Sequence, residues 1–136
     1  MPIVTTIEGR IAQVAIDRPE KRNTLSSELC KDLAREFLEL NDDTRVRSIV
    51  LCGHNNVFCA GLDIEEQLAE NTPIFNEFQK VIDALDALSK PVVAAVSGPA
   101  VSQGAAMLYH CDLVLPVNTP FSQCRVWRWD RRPVTA

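Results

Sequence analysis

The chain has 136 residues, a formal net charge of −4 and ordinary hydrophobic content, so it is long enough for one domain with a sizeable core. The acidic balance argues against a nucleic-acid partner, and no apolar run approaches the ~20 residues that a membrane span needs. Five cysteines without a C-x-x-C spacing argue against a zinc site and a disulfide framework. We therefore expect no bound metal. Since the N-terminus does not resemble a signal peptide, we expect a cytoplasmic protein.

The first third of the chain predicts a hairpin followed by an amphipathic helix. Two β-prone runs, Ile3–Ile7 and Ile11–Ile16, flank a short turn that contains glycine. The second run alternates in a way that suits a half-buried strand. Leucine and phenylalanine then recur at helical spacing over residues 29–40, and either Thr24 or Ser26 can cap this helix.

The middle of the chain predicts a strand and two helices. A buried strand is expected within Arg45–Gly53, and a helical stretch is expected from about Asp63. Apolar residues at helical spacing between Phe75 and Leu88 predict a further amphipathic helix.

The stretch from Lys90 to Leu115 predicts a strand, a tight turn, a helix and a strand. The run Val92–Val96 is typical of a strand buried on both faces, and Ala100–Tyr109 has helical length and good helix formers. A helix that begins near Ser102 presents free backbone N–H groups, which suit an anion or a developing oxyanion. The alternative is an ordinary buried strand–helix–strand unit whose small residues serve only packing.

The alternation of strands and helices up to Leu115 predicts an α/β fold. Two short segments, Cys59–Leu62 and Ser102–Gly104, each follow a buried strand and lead into a helix. In open α/β sheets, ligands bind beyond the carboxyl ends of the strands. We therefore expect these two segments to contribute to one ligand site.

Four motifs in the chain resemble the enoyl-CoA hydratase/isomerase (crotonase) superfamily. They are an Arg-Pro-Glu-x-x-Asn loop, a Gly-x-x-x-x-Phe-x-Ala-Gly-x-Asp segment, a Lys-Pro-x-x-Ala-x-x-x-Gly-x-Ala stretch and a Cys-Asp pair, found at Arg18–Asn23, Gly53–Asp63, Lys90–Ala100 and Cys111–Asp112. Four motifs in register over most of the chain make the resemblance specific. It implies a crotonase-like α/β fold, a spiral of ββα units of the ClpP/crotonase type, truncated in this chain.

The resemblance implies that an acyl-CoA thioester carbonyl lies between two backbone N–H groups, which stabilise an enolate-like oxyanion. By position in the motifs, the two donors are the N–H groups of Ala60 and Gln103. The superfamily usually has glycine at the positions of Ser102 and Gln103. The glutamine side chain is therefore expected to narrow the acyl pocket.

The resemblance also implies that coenzyme A lies bent against the Arg18–Leu25 and Ala60–Ile64 loops. Arg22 and Lys21 are candidates for its phosphates, with solvated loop charges as the alternative. Asp63 is interpreted as a helix N-cap in preference to a residue that contacts the ligand. Coenzyme A enters as part of the substrate, so no separate cofactor is expected. The expected substrate-binding residues are Lys21, Arg22, Thr24, Ala60, Gly61, Leu62, Asp63, Ile64, Gln103 and Gly104.

Two departures from the superfamily pattern bear on the reaction. Hydratases carry a glutamate at the position of Ala106, and alanine cannot transfer a proton. From about Ser122 the chain loses the superfamily pattern, and this part carries both tryptophans and four of the fourteen basic residues. We therefore expect an incomplete acyl-CoA-binding core over residues 1–121 and an irregular tail over 122–136. Our hypothesis is that the chain leaves the superfamily reading frame near Ser122 and ends early.

These features favour a double-bond isomerase-type or another crotonase reaction over that of a two-glutamate hydratase, with the base supplied from outside this chain. The alternative is a non-catalytic acyl-CoA-binding module or an inactive fragment. His54 and His110 are expected to have structural roles, and Cys59 is expected to line the pocket wall. A homotrimer or hexamer is expected of a full-length chain, because superfamily members use their C-terminal helices for trimer contacts.

Overall fold

The computed structural model describes residues 2–70 and 73–117. A single 3-10 turn at Pro19–Lys21 lies between the second strand and the first α-helix. None of the helices in the described ranges is both long enough and apolar enough to cross a bilayer. The elements in chain order are β1 Ile3–Glu8, β2 Ile11–Ile16, α1 Ser27–Asp42, β3 Ser48–Gly53, α2 Ile64–Glu70, α3 Ile74–Ala87, β4 Val92–Val96, α4 Gln103–Leu108 and β5 Leu113–Pro116.

The five strands form one sheet in the order β1-β2-β3-β4-β5. The predicted hairpin pairs β1 with β2 antiparallel, and Gly9 in its turn has a φ of +61°. The remaining neighbours pair in parallel, with helical connections from β2 to β3 and from β3 to β4. The predicted α/β fold is confirmed, and the carboxyl ends of β2, β3 and β4 lie along the same edge of the sheet.

Helices α1 and α3 pack together and share one apolar core with a face of the sheet. Phe37 of α1 and Val81 of α3 are fully buried in this core, as is Leu51 of β3. The apolar stripe predicted for α1 therefore faces the core.

Ser26 is the residue that caps α1, because its Oγ accepts the backbone N–H of Leu29 at 3.1 Å.

The structure differs from the sequence prediction in two places that involve tertiary packing. Ala15, expected on the exposed face of β2, is buried with Cys52, and Ala95 packs against them on the second face of the sheet. Helix α4 begins at Gln103, next to the expected start near Ser102, but it spans only six residues of the stretch Ala100–Tyr109, and Ala100 instead forms an isolated bridge with Cys59. The expected domain boundary at residue 121 and the tail over 122–136 lie outside the described residues.

Candidate functional site

The chain leaving β3 and the chain leaving β4 run side by side beyond the edge of the sheet. Cys59 and Ala100 form an isolated parallel bridge. The N–H groups of Phe58 and Cys59 both donate to the carbonyl of Pro99, at 3.0 and 3.3 Å, and the N–H of Val101 donates to the carbonyl of Cys59 at 2.9 Å. The two segments that the sequence predicted as one ligand site are therefore adjacent.

Glycine allows these segments to approach each other closely. A Cβ atom added to Gly104, in the first turn of α4, would lie 2.3 Å from the carbonyl oxygen of Cys59. A Cβ added to Gly98 would lie 1.8 Å from the carbonyl oxygen of Asn56, and Gly98 also has a φ of +107°. Real side chains do not reach such distances, so the approach of α4 to the Cys59 segment requires glycine.

A cavity of about 320 Å³ opens where the two segments meet α2 and the start of α3. Its only polar side chains among the described residues are two carboxamides and one hydroxyl, so no titratable side chain of the described chain lines it. Phe75 and Ile64, at its border, are more than half exposed. The lining residues are Ala60, Gly61, Leu62, Ile64, Gln67, Phe75, Ser102 and Gln103.

The backbone N–H groups of Ala60 and Gln103 both belong to residues of this cavity lining. Neither of them donates to a protein acceptor within the described residues, and the same holds for the N–H groups of Leu62 and Ser102 in this lining. Cys59 and Gly104 donate to loop carbonyls, and Gly61 donates to the Sγ of Cys59 at 3.5 Å. The N–H groups of Ala60 and Gln103 are therefore among several unpaired donors in the lining of one cavity, and a ligand oxygen that enters it can accept from them.

The loop between β2 and α1 lies against the same site. Leu25 forms an isolated parallel bridge with Leu62, in which its N–H donates to Gly61 and its carbonyl accepts from Asp63, both at 2.8 Å. Through this pairing the structure brings together the two loops that the resemblance assigned to coenzyme A. Thr24 directly precedes the bridge in sequence and is not among the residues that line the cavity.

Arg18 and Asp63 connect these two loops through side chains. The Nη2 of Arg18 lies 3.0 Å from the Oδ2 of Asp63, and its Nη1 donates to the carbonyl of Thr24 at 3.0 Å. The Oδ1 of Asp63 accepts the N–H of Glu66 at 3.2 Å, in agreement with its interpretation as the cap of α2. Burial favours a raised pKa for Asp63, but the hydrogen bonds from Glu66 and Arg18 outweigh it, and the pKa is lowered.

Asn23 is 1% exposed, and its side chain stabilises the β2–α1 loop through hydrogen bonds to the backbone. Its Nδ2 donates to the carbonyls of His54 and Val57, at 3.0 and 2.8 Å, and its Oδ1 accepts the N–H of Arg18 at 2.8 Å. Its φ of +57° suits asparagine better than most residues. The motif at residues 18–23 signalled this loop, but the positioning roles of Arg18 and Asn23 became evident only in the structure.

The structure distinguishes the two basic residues that were candidates for phosphate binding. The Nζ of Lys21 lies 2.8 Å from the Oε2 of Glu65, and the hydrogen bond to this carboxylate raises the pKa of Lys21. Arg22 is exposed and forms no ion pair within the described residues. Arg22 is therefore the better placed of the two to bind an anion from solution.

The remaining reactive groups lie outside the cavity lining. Burial raises the pKa of Cys59 to about 11, so its thiol stays protonated at neutral pH. His110 and Asp86 form a pair with the Nδ1 and Oδ1 atoms 2.7 Å apart, and His54 lies 3.4 Å from Asp17. The described residues contain no cluster of three potential metal ligands.

Comparisons with known proteins identify the family to which this chain is similar. A family model described as enoyl-CoA hydratase/isomerase matches residues 6–124. The chain is 37% identical to the enoyl-CoA hydratase AKT6-1 of Alternaria alternata over 110 residues, which cover 80% of this chain and 37% of that protein. It is 34% identical to the short-chain-enoyl-CoA hydratase of Clostridium acetobutylicum over 130 residues, which cover 91% of this chain and 50% of that protein.

A similar solved structure gives the same result at the level of the fold. The enoyl-CoA hydratase/carnithine racemase from Magnetospirillum magneticum superposes with a TM-score of 0.79 at 29% identity, over 85% of this chain and 46% of that one. The chain thus spans about half or less of the length of these relatives.

Proposed function

The chain belongs to the enoyl-CoA hydratase/isomerase family, and we propose that it binds the thioester carbonyl of an acyl-CoA between the backbone N–H groups of Ala60 and Gln103. The observation that carries the proposal is that both residues line one cavity while neither N–H has a protein acceptor within the described residues. Two such donors stabilise the oxyanion of an enolate or a tetrahedral intermediate. Coenzyme A then enters as part of the substrate.

In this proposal the coenzyme A portion lies along the paired loops 18–25 and 60–64. The bridge between Leu25 and Leu62 keeps these loops together. Arg22, exposed and without an ion-pair partner in the described chain, contributes the phosphate contact, while Lys21 first has to leave Glu65. Thr24, Gly61, Leu62, Asp63, Ile64 and Gly104 complete the proposed binding surface.

The proposed chemistry is double-bond isomerisation or another crotonase-type reaction, in preference to hydration by two glutamates. Ala106 occupies the position of the expected hydratase glutamate and has no proton to transfer. The described cavity lining also lacks a carboxylate, an imidazole or an amine. A catalytic base therefore has to come from residues outside the described cavity lining.

The same observation favours a second candidate, a non-catalytic acyl-CoA-binding module. Such a module needs the cavity and the two N–H donors but no base. Deuterium exchange at the α-carbon of butyryl-CoA in heavy water distinguishes the two candidates, because exchange requires a base. Incorporation of deuterium supports the catalytic proposal, and binding without incorporation supports the module.

We propose further that the chain assembles as a homotrimer or hexamer in its full-length context. In support, β5 forms an edge of the described sheet and exposes Leu113, Val114 and Leu115 by 43 to 58%. An apolar edge strand of this kind is usually covered in a native assembly.

Calorimetric titration of the chain with coenzyme A, butyryl-CoA and S-butyl-CoA tests the binding proposal. S-butyl-CoA is a thioether of the same length without the carbonyl oxygen. We expect butyryl-CoA to bind about tenfold more tightly than the thioether, because only the thioester pairs with the two N–H donors. Equal affinity overturns the oxyanion site, and no affinity for any of the three overturns the acyl-CoA function.

A further inference from the structure

The side chains of Ser102 and Gln103 form a hydrogen-bonded pair at the border of the cavity. The Oγ of Ser102 donates to the Oε1 of Gln103 at 2.5 Å, and both residues line the cavity. Ser102 has a φ of +54°, which few residues other than glycine adopt readily. The chain therefore keeps a hydroxyl at a position where its backbone conformation favours glycine.

The carboxamide of Gln103 lies close to the opposite segment of the site. A Cβ atom added to Gly61 would be 3.7 Å from the Oε1 of Gln103 and 3.3 Å from the Cβ of Ser102. Gly61 itself has a φ of +100° and carries no side chain that could fill this space. The carboxamide thus lies between the two segments that form the cavity.

The hydrogen bond from Ser102 leaves the donor side of the carboxamide free. A glutamine side chain has one acceptor oxygen and an NH₂ group with two donors. Here Ser102 donates to one of the two lone pairs of the carboxamide oxygen, while the Nε2 donors find no acceptor within the described residues. An acyl group that displaces water from the cavity therefore meets two N–H donors that need an acceptor.

The position of these donors along the acyl group follows from covalent structure. Only Cα, Cβ and Cγ separate the backbone nitrogen of Gln103 from its carboxamide carbon. If the backbone N–H holds the thioester oxygen, the carboxamide reaches the part of the acyl group one or two carbons further on. Apolar lining by Leu62, Ile64 and Phe75 leaves the rest of a short chain in a hydrocarbon environment.

We propose that the Ser102–Gln103 pair selects acyl-CoA substrates with a carbonyl oxygen on the β-carbon, that is 3-oxoacyl groups, over plain hydrocarbon chains. A keto oxygen only accepts hydrogen bonds, so it matches the free Nε2 donors without adding a donor of its own. A hydroxyl oxygen at the same carbon can also accept from Nε2, so the selectivity is directed against plain hydrocarbon chains. The inference rests on the proposed acyl-CoA function and specifies its substrate class.

Calorimetric titration of the whole chain with coenzyme A, butyryl-CoA and 3-oxobutyryl-CoA tests this selectivity. The readout is the ratio of the dissociation constants of the two thioesters. A 3-oxo thioester also enolises more readily, which strengthens its contact with the backbone donors in any variant. The decisive quantity is therefore the change in this ratio when the carboxamide is removed and the backbone N–H is kept.

Gln103→Leu makes that change at similar side-chain size. We expect the preference for 3-oxobutyryl-CoA to fall about tenfold relative to the parent chain, since the hydrogen bond from the carboxamide to the keto oxygen is lost. Ser102→Ala releases the carboxamide and is expected to reduce the preference by a smaller factor. Gln67→Leu removes the other carboxamide of the cavity on α2, and is expected to change the ratio less than Gln103→Leu.

The outcomes separate this inference from the proposed function. If neither thioester binds more tightly than coenzyme A, the proposed function fails, and the inference fails with it. If both thioesters bind more tightly than coenzyme A, but Gln103→Leu leaves their ratio unchanged, only the selectivity is overturned. A loss in Gln67→Leu as large as that in Gln103→Leu also overturns it, provided that circular dichroism shows both variants folded.

Discussion

The guanidinium of Arg18 lies 3.0 Å from the carboxylate of Asp63, and this ion pair joins the loop before α1 to the first turn of α2. The two side chains are 19% and 8% exposed, so the pair is largely shielded from solvent. Both loops carry residues of the proposed coenzyme A surface. The pair therefore positions that surface without being part of the proposed oxyanion site.

Arg18→Met is expected to lower the free energy of unfolding by about 2–3 kcal/mol, because it leaves a buried carboxylate without its charged partner. A double-mutant cycle with Asp63→Asn measures the coupling by urea denaturation, and strict additivity would contradict a direct interaction. Lys21→Met, which breaks the exposed pair with Glu65, is the matched control and should change stability little.

The same pair predicts how stability depends on pH. Because the pKa of Asp63 is lowered in the folded protein, its contribution is present above the ordinary carboxyl pKa and disappears as the pH falls through the lowered value. The stability difference between the parent chain and Asp63→Asn should therefore shrink as the pH is lowered from neutral to below the ordinary carboxyl pKa of about 4. A difference that stays constant over this range argues against the ion pair.

Asn23→Asp is expected to destabilise the chain by about 3 kcal/mol at neutral pH. The substitution replaces an NH₂ group that donates to two carbonyls with an oxygen that faces them. Protonation of the introduced carboxyl restores one donor, so the loss should become smaller at acid pH. Thermal unfolding at several pH values checks this, and a loss that grows at acid pH relative to the parent chain would contradict it.

Gly104→Ala is expected to weaken acyl-CoA binding and to cost about 1–3 kcal/mol of stability, because its Cβ would collide with the Cys59 carbonyl. Helix α4 then has to move away from the segment that carries Ala60. Gly9→Ala is the matched control, since a Cβ there meets no atom within 4 Å. Gly9→Ala should lose stability only because alanine disfavours the positive φ at this position, and it should keep its affinity for acyl-CoA. Similar losses of affinity in both variants would contradict the steric explanation.

Ala106→Glu tests whether an acid–base group introduced next to the cavity produces hydratase activity. Residues 103 and 106 lie one turn apart on α4, so a longer side chain at 106 reaches toward the cavity that Gln103 lines. We expect hydration of crotonyl-CoA to rise about 100-fold above the parent rate, the low end for a positioned acid–base group. Ala106→Gln has the same shape without the acid, and equal rates in the two variants would show that the cavity does not orient a substrate.

The sequence predicted the strands and the amphipathic helices well because their signals are local. The apolar run Val92–Val96 matches β4, although only Val92 and Ala94 of this strand are buried. The helical spacing from Leu29 to Leu40 lies within α1 and marks its buried face. The meeting of the Cys59 and Ser102 segments also followed, since parallel strands end at one edge.

Features that depend on distant partners did not follow from local sequence. Helix α4 is shorter than the stretch Ala100–Tyr109, since Ala100 pairs with Cys59, a contact that no helix propensity encodes. The ion pair of Lys21 with Glu65 likewise distinguishes Lys21 from Arg22, although both were candidates for the phosphates of coenzyme A. The Arg18–Asp63 pair joins two motifs whose proximity only the folded chain creates.

The central claim is that two backbone N–H groups polarise one thioester oxygen, and infrared spectroscopy of bound butyryl-CoA, isotope-labelled at its carbonyl carbon, measures this directly. Hydrogen bonds from Ala60 and Gln103 weaken the carbonyl bond, so its stretching band should move to lower frequency on binding. A bound thioester whose band stays where it is in water, or moves to higher frequency as in an apolar pocket, would contradict the account.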